Sequence, residues 1–358
     1  MFRGGFIVKK IAVITLLVLL MFGSLACTPR TGIVEDKKDS EDIVIGFALA
    51  DLLTERWQTD KALFTERAEQ LGASVITVSA SQDSEVQQNQ IDDLIIQGVD
   101  VLVIVAVDSE KASAMVEKAH EAGIKVIAYD RLIKNSDLDY YISFDNEKVG
   151  EYQAQKVVDV VSKGNFAYLG GSPTDNNAFL VKEGAFRILQ PKIDSGEVKV
   201  VLNVFNDGWK SEEAYRQLKD YLSKNGTVDA VIAANDGTAA GAIQALSEYG
   251  LAGSVPVSGQ DASLGACQKI AEGTQTVTVY KPLKDIAYTA AEMAVAIVKD
   301  QNVVTNSKVN NGKIDVPSYL LDVMPVTKDN MMATVIKDGF RSYDEVYQNV
   351  PESERPAR

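Results

Sequence analysis

Histidine is nearly absent from this chain: among 358 residues only His120 occurs. A histidine-based nucleophile triad and a multi-histidine metal site are both excluded. Cysteine is almost as rare, with Cys27 and Cys267 alone, so a small disulfide-stapled scaffold is excluded too. No block of Lys and Arg stands anywhere, and 50 acidic residues outnumber 36 basic ones for a formal charge of −14. Nucleic acid, whose binding depends on neutralised phosphates, is not an expected partner. No GxGxxG follows a strand-like run, and neither GxxxxGK[ST] nor GxSxG occurs, so the usual nucleotide and hydrolase signals are missing. What is present looks globular. Apolar residues make up 46% and charged residues 24%, and the length suits about two domains with a core each.

Residues 1–26 carry no acidic side chain, a basic start (Arg3, Lys9, Lys10) and the apolar run Ile11 to Phe22, followed by small residues. This is the pattern of a secretory signal peptide, and the run is shorter than the roughly 20 residues that span a bilayer. Ser24-Leu25-Ala26-Cys27 resembles the bacterial lipobox, with its leucine one place nearer the cysteine than usual. Acylation of Cys27 is expected, the alternative being an ordinary secreted protein. Residues 27–42, polar and charged, read as a solvated tether. Loss of residues 1–26 removes three basic residues and no acidic one, moving the formal charge from −14 to −17. Membrane attachment is therefore expected only through lipid. Cys267, in a helical-looking stretch, reads as a buried small hydrophobe.

From Ile43 onward, short β-branched runs alternate with amphipathic segments, the pattern of βαβ units around parallel sheets. Runs at 43–49, 74–78, 99–107 and 124–130 give one lobe four strands. The rhythm restarts after Phe144, with runs at 166–171, 198–204, 228–235 and 255–261. An α/β fold of two doubly wound parallel-sheet lobes joined by several crossovers is expected. Residues 43–146 plus 277–304 are assigned to the N-terminal lobe, 147–276 plus 305–345 to the C-terminal lobe, and 346–358 to a tail. Ligands of such sheets bind beyond the carboxyl ends of the strands. Ten polar and aromatic residues follow the strand-like runs: Arg56, Trp57, Asp130, Arg131, Asp175, Asn177, Trp209, Asn235, Asp261 and Lys281. A sugar has apolar C–H faces ringed by hydroxyls, so aromatic plates with charged and amide groups match it. The only tryptophans, Trp57 and Trp209, fall in different lobes and are expected to sandwich one pyranose ring. Taken singly, any such Asp is more often a helix cap and any Trp more often core. Nearby Arg, Lys or Asn is expected to keep the three carboxylates ionised, which suits hydroxyl binding better than acid catalysis.

The phrases ADLLTERWQTD (50–60), IKVIAYDR (124–131), YYISFDNEKVGEYQA (140–154), GGSPTDNNA (170–178), AANDGTAAGAIQAL (233–246), SGQDA (258–262) and GTQTVTVYKP (273–282) resemble the ribose/galactose-type periplasmic sugar-binding proteins of ABC importers, and within them the D-xylose-binding members. The resemblance runs from about Ile43 to Gly339. It implies the type I periplasmic binding protein fold and capture of D-xylose, or a related monosaccharide such as ribose or glucose, for an ABC permease. It places ligand contacts on Arg56, Trp57, Arg131, Asn177, Trp209, Asn235, Asp261 and Lys281, with Asp130 and Asp175 as further contacts. It implies no cofactor, no metal and no catalysis. A sensor subunit docking on a membrane histidine kinase would have the same pocket. A hydrolase on this scaffold is a further alternative. A repressor of the same core fold is disfavoured, because such proteins begin with a DNA-reading headpiece and this chain begins with an export signal. With no apolar element left uncovered by a lobe, a monomer is expected.

Overall fold

A computed structural model describes residues 43–358; the expected leader, the tether and Cys27 lie outside them. The chain opens with β1 (Ile43–Leu49), α1 (Glu55–Gln70), β2 (Ala73–Ser79), α2 (Ser84–Ile96), β3 (Val101–Ile104), α3 (Ser113–Glu121), β4 (Lys125–Tyr129) and β5 (Tyr140–Phe144). It then crosses into a second lobe with α4 (Asn146–Val158), β6 (Gly164–Leu169), α5 (Asn176–Asp194), β7 (Val198–Val204), α6 (Ser211–Asn225), β8 (Ala230–Ala233), α7 (Asp236–Glu248) and α8 (Leu264–Glu272). The remainder is β9 (Thr278–Tyr280), α9 (Leu283–Val298), β10 (Ser307–Asn310), β11 (Asp315–Leu321), β12 (Met324–Val326) and the short α10 (Tyr343–Val346).

The first sheet runs β10-β11-β5-β4-β3-β1-β2 and is parallel except for the β10–β11 hairpin. Alternation along its strands explains its two cores. Ile45, Phe47 and Leu49 of β1 face one side with Val101, Val103, Ile127 and Tyr129, under α1 and α9. Leu102, Ile104, Val126 and Ala128 face the other, under α2 and α3. The second sheet has the parallel order β7-β6-β8. It continues irregularly through the bridges Val231↔Val257 and Gln260↔Val279 to the antiparallel pair β9–β12.

Three differences from the sequence reading follow from this pairing. Residues 307–310 and 315–321, expected in the C-terminal lobe, are β10 and β11 of the first sheet, because β11 pairs with β5. Within 277–304, assigned to the N-terminal lobe, only α9 packs on α1 there, while β9 hydrogen-bonds to β12 and the 259–261 segment of the second lobe. The run at 255–261 forms only isolated bridges: Asp261 and Ala262 both have positive φ, 91° and 47°, which turns the chain out of extended geometry. The chain therefore crosses between lobes near 144–146, 281–283 and 321–324, and the Asp145 N–H bonds Leu321 O at 3.1 Å to tie two crossings together. Cys267 is buried in α8, and burial pushes its thiol up to about 12, as suits an inert core residue. No helix among the described residues is long and apolar enough to cross a membrane.

Candidate ligand-binding site

Strand order reverses between β1 and β3 in the first sheet and between β6 and β8 in the second. A crevice opens at each such switch point, and here the two crevices face one another. The result is a cavity of about 560 Å³, within the usual range for small-ligand sites of roughly 300–1,000 Å³. All ten residues singled out from the sequence line it.

Arg56, in the first turn of α1, is the cationic centre. Its Nη2 lies 2.5 Å from Asp130 Oδ1, its Nε 3.5 Å from Asp60 Oδ2 and its Nη1 3.6 Å from Asp261 Oδ1. Burial disfavours the Arg56 charge, yet the carboxylates Asp130, Asp60 and Asp261 outweigh burial and raise its pKa further. Asp130 follows β4 in a left-handed conformation with φ 62°. Its carbonyl accepts from Tyr141 Oη, Ser143 Oγ and Asn177 Nδ2 at 3.1, 2.7 and 3.0 Å, which holds that conformation in place. Although burial alone would raise the Asp130 pKa, Arg56, Lys281 and Arg131 hold it below the usual carboxylate range.

Arg131 reaches across the cleft, its Nε 2.9 Å from Asp175 Oδ2, while its Nη1 donates to Ala106 O at 3.0 Å. Asp175 performs two tasks at once. Oδ1 caps α5 by accepting from the Asn177 N–H at 2.9 Å, and Oδ2 accepts from Trp209 Nε1 at 3.1 Å. Burial outweighs Arg131 here and pushes the Asp175 pKa up from the usual carboxylate value. Asn235 likewise caps α7, its Oδ1 taking the Thr238 N–H at 2.8 Å, which leaves Nδ2 as the group it offers. Lys281 stands on a crossing segment, fully buried, and donates to Asn146 Oδ1 at 3.1 Å. Burial lowers its pKa despite the carboxylates Asp130, Asp261 and Asp175.

Trp57 is buried in the first-lobe core with the Arg56 guanidinium 4.5 Å and the Arg131 guanidinium 5.6 Å from its ring centre. Trp209 comes from the second lobe and packs against that same cluster. It ends a 3₁₀ turn (Asp207–Trp209) with φ 60°, and Gly171 leaves room for its indole: a Cβ at Gly171 would fall 2.2 Å from the ring. Outside these residues the lobes are joined by Ser109 N–H to Thr174 O at 2.9 Å, Asn176 N–H to Ser109 Oγ at 3.1 Å and the Arg341–Glu55 ion pair at 2.5 Å.

Several members escaped the sequence reading. Asn146 links Lys281 to Asn177, donating to Asn177 Oδ1 at 3.0 Å. Asp60 sits beneath Arg56 and accepts from the Tyr129 hydroxyl; burial pushes its carboxyl up to about 6. Asp236, next to Asn235, accepts from Ser263 N–H, Thr278 Oγ1 and Gln275 Nε2 at 2.8, 2.9 and 3.1 Å. Its carboxyl is pushed to about 7 by burial and by Asp261. Its position after a strand was the available signal, since Asn235-Asp236 follows β8.

Those two raised carboxyls give a pH dependence. A carboxyl that binds its proton more tightly folded than unfolded stabilises the fold fully below about pH 4 and loses that contribution as pH rises through 6 to 7. Asp236→Asn removes one of them. Relative to the parent, the variant is expected to gain roughly 2–3 kcal/mol of unfolding free energy between pH 5 and 8. Urea denaturation of both proteins at the two pH values measures it, and a pH-independent difference would contradict it.

The fold and this cleft define a two-lobed α/β binding protein. Residues 45–302 match the periplasmic binding protein domain, and the chain belongs to that family. Among curated relatives, the chain is 49% identical over 308 residues to the D-xylose-binding periplasmic protein of Escherichia coli (strain K12), covering 86% of this chain and 93% of that one. The D-xylose-binding periplasmic protein of Haemophilus influenzae is 48% identical over 309 residues, covering 86% of this chain and 93% of that one. Among solved structures, an ABC transporter solute binding protein from Clostridium phytofermentans with bound β-D-glucose aligns with a TM-score of 0.79 at 30% identity, covering 85% of this chain and 99% of that one.

Proposed function

We propose that the chain is an extracytoplasmic lipoprotein, anchored through Cys27, that captures D-xylose between its lobes as a monomer and delivers it to an ABC permease without transforming it. The carrying observation is the convergence of Arg56, Trp57, Asp130, Arg131, Asp175, Asn177, Trp209, Asn235, Asp261 and Lys281 on one cavity between two sheets. Cations and carboxylates alternate there, so the wall is near neutral and offers strong donors and acceptors to an uncharged polyol. That Trp57 and Trp209 both line the cavity supports their indoles as the plates for the sugar's C–H faces. The names of the relatives in Escherichia coli and Haemophilus influenzae support D-xylose as that polyol. Binding without catalysis is supported by the names of those two relatives, which are binding proteins. Closure around the sugar excludes water and strengthens each polar contact.

Isothermal calorimetry with D-xylose, ribose, glucose and arabinose tests the reading. D-xylose is expected to bind at least about tenfold more tightly than the others, a difference of about 1.4 kcal/mol. Absence of heat with every pentose would overturn it. Trp209→Ala in the same titration is expected to weaken D-xylose binding about thirtyfold, or ~2 kcal/mol, the cost of a desolvated aromatic anchor. A value within threefold of the parent would contradict the role of that indole.

A further inference from the structure

We propose that Arg341 is a positioning residue for the sugar site: it straps the two lobes together beside the sugar contacts, sets Asp261 of one wall against Arg56 of the other, and so slows release of the bound sugar. This rests on the sugar-binding reading above. Arg341 lines the same cavity, and its side chain is only 16% exposed although it carries a charge. It has partners in both lobes. Nε donates to Ala262 O at 2.8 Å, and Nη1 pairs with Glu55 Oε1 at 2.5 Å. Ala262 directly follows Asp261, and Glu55 directly precedes Arg56. One guanidinium therefore holds the chain neighbour of a central residue on each wall.

The first anchor lies at a strained turn. Asp261 and Ala262 have φ of 91° and 47°, and non-glycine residues persist there only where their surroundings fix them. The Ala262 main chain is held on both sides, its N–H donating to Thr278 Oγ1 at 3.0 Å and its carbonyl accepting from Arg341. Asp261 needs that support, because its Oδ1 lies 3.6 Å from Arg56 Nη1, too far for a hydrogen bond to set the spacing. The second anchor is in the first turn of α1, which carries Glu55 and Arg56 together, so the helix passes any displacement of one to the other. The strap is itself held within the second lobe: the Arg341 N–H donates to Val335 O at 3.0 Å, and Phe340 packs on Tyr280 with ring centres 4.9 Å apart. An ion pair with one half-exposed partner is weak when it joins neighbours on a surface. This one joins two bodies that the sugar also joins, so it must break whenever the lobes part to let the sugar leave.

Arg341→Met keeps the unbranched stem and removes the charge and donors, whereas Glu55→Ala removes only the far anchor. Stopped-flow mixing, read by the fluorescence of Trp57 and Trp209, follows D-xylose binding and release. Release is expected to be about fivefold faster from Arg341→Met and about threefold faster from Glu55→Ala, with association within twofold of the parent. The double variant is expected to match Arg341→Met alone, since the strap is already broken. Raising salt from about 0.05 to 0.5 M is expected to speed release from the parent but not from the double variant. Release from Glu55→Ala at the parental rate would overturn the proposal, including where Arg341→Met alone is fast, because that pattern describes a direct sugar contact. Effects that multiply in the double variant would overturn it too. So would a lower melting temperature without sugar and an unchanged release rate, which describes a purely structural arginine. No binding of any pentose by the parent would instead remove the sugar-binding reading, and this one with it.

Discussion

Arg56→Ala is expected to lower the unfolding free energy by about 3–5 kcal/mol at neutral pH and to weaken D-xylose binding at least a hundredfold. The reason is the company the guanidinium keeps. Asp130, Asp60 and Asp261 all lie within 3.6 Å of it, and both its own side chain and those of Asp60 and Asp130 are nearly inaccessible to water. Truncation leaves buried carboxylates whose remaining cations are Lys281, held on the crossing segment by Asn146, and Arg131. It also removes the cation 4.5 Å from the Trp57 ring centre and with it part of the packing of that indole. Protonation of the stranded carboxyls is the relief available to the variant. Asp60, already at about 6 with Arg56 present, is pushed higher without it, so the deficit in stability is expected to shrink toward pH 5. Arg56→Lys keeps a charge but not the fork that reaches three carboxylates, and an intermediate loss is expected. Denaturant titrations at pH 5 and 7.5 with calorimetry at 7.5 measure all of this; an alanine variant within 1 kcal/mol of the parent at pH 7.5 would contradict it.

How much of this was readable in advance depended on where each residue stands. Asp130-Arg131, Asp175, Asn235 and Asp261 were legible because each follows an apolar run, and the fold class fixes strand ends as the place to look. Asp60 and Asn146 were not, because they occupy helix positions that look like any solvated face until Arg56 and Tyr129 close on the one and Lys281 and Asn177 on the other. The cap reading and the site reading of Asp175 were posed as rivals, yet its two oxygens divide the work between them. The late strands were misplaced for a simpler reason: β11 pairs with β5 across some 175 residues of chain, and no local pattern encodes such a partner.

Gly184→Val is expected to cost about 3 kcal/mol or more in stability and to weaken D-xylose binding although residue 184 is remote from the cavity lining. On the second lobe, α4 and α5 touch backbone to backbone. A Cβ at Gly184 would lie 1.8 Å from Glu147 O, and one at Gly150 would lie 1.9 Å from Val181 O. Neither obstacle is a flexible side-chain tip, so the helices themselves must separate. The first residues of these helices meet at the site, where Asn146 of α4 donates to Asn177 of α5 at 3.0 Å and Asn177 donates in turn to Asp130 Oδ2 at 3.1 Å. Parting the helices stretches that chain of bonds, and Lys281, which depends on Asn146, shifts with it. The two glycines thus set a spacing that the sugar site reads at its far end. Gly184→Ala is expected to show the same two effects to a smaller degree, so that melting temperature and D-xylose affinity fall together along the series Gly, Ala, Val. A valine variant that loses stability while keeping parental affinity would show that the helix spacing and the site are uncoupled.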